Sequence, residues 1–404
     1  MAANENKLGL FIHWGIHSML ELQEQALARY DLDKTEYEKL KDRFDPVLYD
    51  PEQWVLMAKK AGMKYICFTA KHHDGFCMWD TKYTDYNIMH TPYGRDVLRQ
   101  LADACEKHGM LLSIYYSNPD WNQKNAYNPL STHQWKAYTE ESDSEKYRAF
   151  TRDQLRELLT GYGKIYTLFW DIPPRIYDPS MNAFVRSLQK DILINNRGYD
   201  DGDFSTPERS VPDGTRFERM TEACQAVGEQ SWGYRRDEDY FSVRFLLSSI
   251  DKIMAMGGSY LLNVGPKPDG TIDERSQSII ARVGDWYNRM EGTLENTEPD
   301  DYPYALANYG GDPAGSMIAV KKNGKTYLHF YNGIHSSAVN FSACPGVPKA
   351  ARLMNNGKTL RVRYKPLPAY IEAGTGRAKG PYVSLCDIPA DEFAAEPVVI
   401  EVEW

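Results

Sequence analysis

Asp171 directly follows the apolar run Leu168-Phe169-Trp170, and Glu208 ends the segment Gly202-Asp-Phe-Ser-Thr206-Pro207-Glu208. Arg197, in Asn195-Asn196-Arg197-Gly198, lies between the two in sequence. A carboxylate at the end of a buried run is costly unless water or hydrogen bonds satisfy it, which places Asp171 at the mouth of a pocket. Two carboxyl groups from separate segments, with a cation between them, suit acid/base-assisted cleavage of a glycoside. One group attacks or stabilises the anomeric carbon, and the other is kept protonated to donate to the leaving oxygen. In a retaining pair the carboxyls stand about 5–5.5 Å apart. A third carboxylate, Glu222, stands in Thr221-Glu222-Ala-Cys224.

Histidines and aromatics gather at the ends of other apolar runs. Phe11-Ile-His13-Trp14-Gly15-Ile-His17 closes one, and Thr69-Ala-Lys71-His72-His73-Asp74-Gly75-Phe76 closes the next. Adjacent histidines diverge on extended backbone, so His72 and His73 reach one ligand only if the chain turns, as Asp74-Gly75 allows. His13, His72 and His73 admit two chemistries: metal ligation, or neutral donor and acceptor groups for sugar hydroxyls. With no HxH pair and no obvious bridging carboxylate, the expectation is no metal. Aromatics and short polar groups crowd a further strand end at Ile114-Tyr115-Tyr116-Ser117-Asn118, and Trp14, Trp79 and Trp232 are candidate aromatic contacts for a polar ligand with an apolar face.

These residues need elements that bring them together. Leu8–Trp14, Lys64–Thr69, Leu111–Tyr116, Ile165–Trp170, Ile192–Asn195 and Tyr260–Val264 are short and nearly continuous in apolar character, as strands buried on both faces are. Helical periodicity fills the intervals at Pro51–Ala61, Asp96–His108, Ser144–Tyr162, Pro179–Gln189, Ser242–Met256 and Asp273–Met290. This alternation predicts a parallel α/β architecture. The runs end in residues that do chemistry, which favours a (β/α)8 TIM-like barrel, where strand C-termini converge on one face. Beyond Glu295 the texture changes to short runs separated by turns, including Asn323-Gly324 and Asn356-Gly357. That pattern predicts a small antiparallel β-sandwich. The expected division is a catalytic barrel over residues 1–297 and a sandwich over 298–404.

The 404 residues carry 56 acidic and 47 basic side chains, a net charge of -9 with no Lys/Arg cluster, which argues against nucleic acid and anionic membranes as partners. No apolar run approaches the ~18 residues of a membrane span. The six cysteines are dispersed without a CxxC pair, and the first residues lack the pattern of a secretory leader. A reducing cytoplasm is the expected compartment.

Taken in order, these segments resemble the α-L-fucosidase family, glycoside hydrolase family 29. The resemblance runs from Phe-Ile-His-Trp-Gly through Lys-His-His-Asp-Gly-Phe and Tyr-Tyr-Ser to the aromatic-Asp strand end. It continues through Asn-Asn-Arg, Gly-Asp-Phe-Ser-Thr-Pro-Glu, Ser-Trp-Gly-Tyr and Gly-Gly-x-Tyr-Leu-Leu-Asn-Val-Gly-Pro. It implies a barrel followed by a β-sandwich, no cofactor, a retaining double displacement, and a fucosylated oligosaccharide or glycoconjugate as substrate. It places the nucleophile on Asp171, the acid/base on Glu208 with Glu222 as second choice (matching a Trp-Glu pair of the family, with Thr221 in place of the Trp), and sugar contacts on His13, His72, His73, Tyr116 and Arg197. One departure stands out: many relatives carry a Glu-Trp pair in the loop after the first strand, and here the stretch is Gln23-Glu24-Gln25. Loss of that aromatic wall keeps an L-galactose-like glycone, with an added hydroxyl on the C5 substituent, as the rival to L-fucose. A barrel that binds fucosylated glycans without cleaving them is a further alternative.

Overall fold

The computed structural model describes residues 5–126, 142–174, 176–290, 292–307, 317–365 and 381–404. Its first part is built on seven strands: β1 (Leu8–Ile12), β2 (Tyr65–Lys71), β3 (Leu111–Ser117), β4 (Ile165–Asp171), β5 (Leu193–Ile194), β6 (Glu222–Ala226) and β7 (Ser259–Val264). They form one parallel sheet in the order β5-β4-β3-β2-β1-β7-β6. The six expected runs are six of these strands. The seventh, β6, carries Glu222 and Gln225 among small residues and so shows no apolar run.

Two short helices, α1 (Ala26–Arg29) and α2 (Lys34–Glu38), follow β1, and the longer ones are α3 (Pro51–Lys60), α4 (Val97–His108), α5 (Ser144–Gly161), α6 (Pro179–Leu188), α7 (Val243–Ala255) and α8 (Glu274–Arg289). The six longer helices start where a side chain caps them: Asp50, Asp96, Asp143, Asp178, Ser242 and Asp273 each accept a backbone N–H of the first turn. All helices of this region except the two after β1 coincide with expected periodic stretches to within two residues at each end.

The eight-stranded ring is not what the ladder shows. Between the edge strands β5 and β6, the segment 204–208 makes only isolated parallel bridges, Asn195 with Phe204 on one side, and Ser205 with Thr221 and Glu208 with Cys224 on the other. Strand alternation sorts the side chains. Phe11, Tyr65, Cys67, Tyr115, Phe169, Cys224 and Leu261 form a small cluster on one face of the sheet. Their neighbours Ile12, Ile66, Phe68, Tyr116, Trp170 and Leu262 join the large core beneath the helices.

The remaining strands are antiparallel: β8 (Glu298–Pro299), β9 (Ala305–Leu306), β10 (Ile318–Lys322), β11 (Lys325–Phe330), β12 (Ala338–Ala343), β13 (Ala350–Leu353), β14 (Arg361–Lys365), β15 (Tyr382–Cys386) and β16 (Val398–Glu403). They make two sheets, β13-β16-β11-β10-β8 and β14-β15-β12-β9, around a separate core that includes Leu328, Phe341, Leu385 and Ile400. Asn323 and Gly324, both with positive φ (52° and 77°), form the tight β10–β11 hairpin turn expected of that pair. Ile318, Val320, Tyr327 and Val399 of the five-stranded sheet share the α/β core, so the two units pack as one body.

Candidate active site

The C-terminal ends of β1–β4 deliver the chemistry. Asp171 is the last residue of β4 and pairs in register with Ser117, the last of β3. The side chain of Asp171 is held at both oxygens: Tyr115 donates its hydroxyl to Oδ2 at 2.7 Å, and Arg197 donates from Nη1 to Oδ1 at 3.0 Å. Burial pushes the Asp171 carboxyl up, but the Arg197 cation, His73 and the Tyr115 hydroxyl outweigh it and leave the group below its ordinary 3.8. Asp171 is therefore an anion at neutral pH. Burial and the Asp171 charge push Tyr115 well above its ordinary value, so it remains a neutral donor.

The same Nη1 of Arg197 donates to Oε2 of Glu208 at 2.6 Å. The bonded oxygens of Asp171 and Glu208 can therefore lie no farther apart than those two bonds laid end to end, short of the ~6.5–9.5 Å of an inverting pair. Arg197 is fixed by Thr206, whose hydroxyl accepts from Nε (2.7 Å) and whose carbonyl accepts from Nη2 (2.8 Å). Gly198 makes the approach possible, because a Cβ there would stand 2.4 Å from the Trp170 ring. Asn118 ties the two loops together by donating to the carbonyls of Ile172 (3.0 Å) and Arg197 (3.1 Å).

Each carboxylate is followed by a non-glycine residue in the left-handed region, Ile172 (φ 57°) after Asp171 and Arg209 (φ 49°) after Glu208. Such backbone costs about 1–3 kcal/mol and persists where the surroundings impose it. For Arg209 they do: its N–H donates to the Cys224 carbonyl (3.0 Å), its Nη1 to those of Gly228 (3.2 Å) and Glu229 (2.8 Å), and its guanidinium lies 4.6 Å from the Trp232 ring centroid.

These groups surround a cavity of about 330 Å³, at the small end of ligand clefts. Phe11, Tyr115, Phe169 and Trp232 give it an apolar side; His13, His72, Glu24, Asp171, Arg197 and Glu208 give it a polar one. His13 sits against Asn263 of β7, with Nδ1 2.6 Å from Oδ1, while the Asn263 amide donates to the Trp232 carbonyl. The carbonyl oxygen of Asn263 can only accept, so Nδ1 of His13 carries the proton and Nε2 is an acceptor. Burial lowers the His13 pKa and keeps the ring neutral. His72 stacks on Tyr115 with 5.5 Å between centroids. Glu24 is buried, and its Oε2 accepts from the Ser231 hydroxyl and the N–H groups of Trp232 and Gly233 at 2.9–3.0 Å. Burial raises its pKa, but the Gly233 N–H and His13 bring it below the ordinary value.

Asp171, Glu208, Arg197, His13, His72 and Trp232 thus meet in one cavity, and His73 stands behind it with Nε2 3.6 Å from Asp171 Oδ2. Four expected residues lie elsewhere. Tyr116 points to the helix side, where its hydroxyl donates to Gln154 and Lys71 covers its ring at 4.2 Å; strand alternation gives the site to Tyr115 instead. Trp14, next to inward-facing His13, turns outward against Phe44, Tyr49 and Trp54. Trp79 is buried with its indole N–H on Glu157. Glu222 begins β6, beside Ser259 at the start of β7, and accepts from Tyr65 at the start of β2 (2.6 Å), which puts it at the opposite end of the sheet from Asp171. Among the described residues, no group of three or more His, Cys, Asp or Glu is placed to hold a metal ion.

Glu24, Tyr115, Phe11, Phe169 and Asn263 were not singled out as contacts by the sequence. Alternation counted back from Asp171 and His13 marks Phe169 and Phe11. Glu24 stands in a polar loop with no periodicity to mark it.

The sequence profile described as alpha-L-fucosidase matches residues 2–291. The tissue alpha-L-fucosidase of Bos taurus is 26% identical, across 70% of this chain and 66% of its own length. The plasma alpha-L-fucosidase of Pongo abelii is 27% identical with the same coverage, so the chain spans 66% of the length of these curated relatives. The solved structure of alpha-L-fucosidase isoenzyme 1 from Paenibacillus thiaminolyticus is similar over 99% of this chain and 97% of its own, with a TM-score of 0.83 and 28% identity.

Proposed function

Because the chain belongs to the alpha-L-fucosidase family, we propose that it is an exo-acting retaining glycosidase that releases terminal α-L-fucose from oligosaccharides or glycoconjugates. The observation that carries this reading is the single Arg197 nitrogen shared by Asp171 and Glu208, which fixes their separation on the short side. Asp171 attacks the anomeric carbon as its bond to the leaving oxygen breaks, and Glu208 gives that oxygen a proton. A covalent glycosyl ester on Asp171 results. Water then attacks the same carbon, Glu208 takes the water proton, and the carboxylate leaves, so two inversions return the starting configuration. Arg197 and Tyr115, already on the Asp171 oxygens, keep the nucleophile ionised and aimed. The two carboxyls supply the acid, base and nucleophile, so the reaction needs no cofactor. In this reading the segment 204–208 closes the sheet as an irregular eighth member of a TIM-like barrel, which is how Glu208 comes to face Asp171.

Fucose fits a cavity with one apolar side for the C5 methyl and one polar side for hydroxyls. Gln25 on the cavity wall supports a second glycone, an L-galactose-like sugar whose extra hydroxyl an amide can meet. One experiment separates these readings: aryl α-L-glycosides differing at C5, tested on the wild type, Asp171→Ala and Glu208→Ala. The expected result is fast release of phenol from the fucoside by the wild type, none by Asp171→Ala, and azide rescue of Glu208→Ala. Near-normal turnover by Asp171→Ala would overturn the assignment, and faster cleavage of the L-galactoside would move the glycone.

A further inference from the structure

We infer that Arg209 determines specificity on the leaving-group side of the cavity, where its guanidinium donates to adjacent oxygens of the sugar from which fucose is released. The inference deepens the proposed reaction and rests on Glu208 as its acid/base. An acid that protonates the leaving oxygen stands where the leaving group departs. The exposure of the two carboxylates gives the direction of that departure: the Asp171 side chain is 13% exposed and that of Glu208 37%. The leaving group therefore exits past Glu208. Arg209, the next residue in the chain, lines the same cavity, as do the exposed Glu229 and Gln230.

The guanidinium is held in one orientation before any ligand arrives. Its Nη1 donates to the carbonyls of Gly228 (3.2 Å) and Glu229 (2.8 Å), and the group lies 4.6 Å from the Trp232 ring centroid. The Arg209 backbone is anchored too, by its N–H on the Cys224 carbonyl at 3.0 Å. The N–H groups of Nε and Nη2 remain, and among the described residues they have no hydrogen-bond partner. Nε–H and one Nη2–H lie parallel along one edge, a fork that fits two adjacent oxygen acceptors. Neighbouring hydroxyls of a sugar present such a pair of oxygens. Because the fork is already fixed, little rotamer freedom is lost when it is used, and its contacts reach affinity nearly undiminished. A site built to hydrogen-bond a ligand discriminates strongly against an analogue that lacks the bonding groups. A simple alkyl leaving group is such an analogue.

The test compares two leaving groups of similar acidity on the full chain. One is the sugar of an α-L-fucosyl disaccharide with galactose or N-acetylglucosamine, taken as the linkage isomer the wild type cleaves fastest. The other is trifluoroethanol, in trifluoroethyl α-L-fucoside, which brings no hydroxyl pair. Both substrates carry the same glycone and take the same proton from Glu208, so damage to the fold or to the glycone contacts lowers kcat/KM for both alike. Arg209→Met keeps an unbranched stem against Trp232 and removes the fork. It should lower kcat/KM for the disaccharide by roughly tenfold or more beyond its effect on the trifluoroethyl fucoside, the loss expected when hydrogen bonds from a charged donor disappear. Equal losses on the two substrates, or no loss on the disaccharide, overturn the inference. Arg209→Lys keeps the charge without the fork and should show a selective loss in the same direction; it carries the test where Arg209→Met does not fold. A wild type that cleaves neither substrate overturns the hydrolase reading and this inference with it, whereas equal losses leave the hydrolase reading standing.

Discussion

Tyr115 and Tyr116 are neighbours with opposite fates. Successive strand residues face opposite sides, so once Asp171 on β4 faces the cavity, its register partner Ser117 and then Tyr115 on β3 face the same way. The chemistry of a tyrosine is identical at either position; only the direction differs, and direction is a property of the strand. Tyr115→Phe removes a hydrogen bond to an ionised carboxylate, worth about 1.5–3 kcal/mol. It should lower kcat/KM by roughly tenfold or more and raise the pH at which Asp171 protonates, moving the acid limb of the profile upward. Tyr116→Phe, whose hydroxyl donates to Gln154 on the helix side of the sheet, should leave the profile unshifted. Equal losses in the two variants, measured on one aryl fucoside, would contradict this division of labour. His13, His72, Arg197, Asp171 and Glu208 were legible because each stands in or beside an apolar run or a turn motif. Trp14 and Tyr116 were misread by one step of alternation, and Glu24 was invisible because its partners Ser231, Trp232 and Gly233 are about 208 positions away in sequence.

At the scale of elements, β6 shows what patterning conveys and what it does not. Six of the seven parallel strands are apolar enough to be read directly, and capped helices between them are marked by Asp or Ser followed by periodic residues. β6 is Glu-Ala-Cys-Gln-Ala, buried throughout, and only its pairing with β7 makes it a strand. Its first residue is costly: burial raises the Glu222 carboxyl from its ordinary 4.5 to about 7, with the Tyr65 hydroxyl only partly opposing. The folded state holds this proton more tightly than the unfolded chain, so the fold is favoured below about pH 4.5 and loses stability as pH rises through about 7. Glu222→Gln removes that dependence. Thermal melts should show the variant gaining on the wild type between pH 5 and pH 8, with kcat/KM for an aryl fucoside nearly unchanged. A variant that loses turnover while keeping its stability would return Glu222 to the acid/base role that its place at the far end of the sheet argues against.

Across the whole molecule, the active-site cavity belongs to the α/β unit alone, since every residue lining it lies before residue 233. The antiparallel sheets instead meet the outer helices. His329 of β11 and Asp251 of α7 form a fully buried pair at 2.7 Å, Arg289 of α8 grips Glu396, and the Trp286 indole reaches the Pro397 carbonyl. Removing one partner of a buried hydrogen bond leaves the other unsatisfied, at a cost of about 1–3 kcal/mol. The contact therefore fixes how the two units sit, while the apolar residues Ile318, Val320, Tyr327 and Val399 contribute the area. Turn signals made the antiparallel unit legible from sequence. The face it packs against was not, because the pairing of His329 with Asp251 spans 78 positions with no local signature.

The claim that Asp171 bonds covalently to the sugar has one direct test. Incubation of the wild type with 2-deoxy-2-fluoro-α-L-fucosyl fluoride, followed by proteolysis and mass spectrometry, should find one fluorofucosyl group per chain, on the peptide that holds Asp171 and attached at that side chain. A label on Glu208 or Glu222, or no label on an enzyme that turns over an aryl fucoside, would contradict the account.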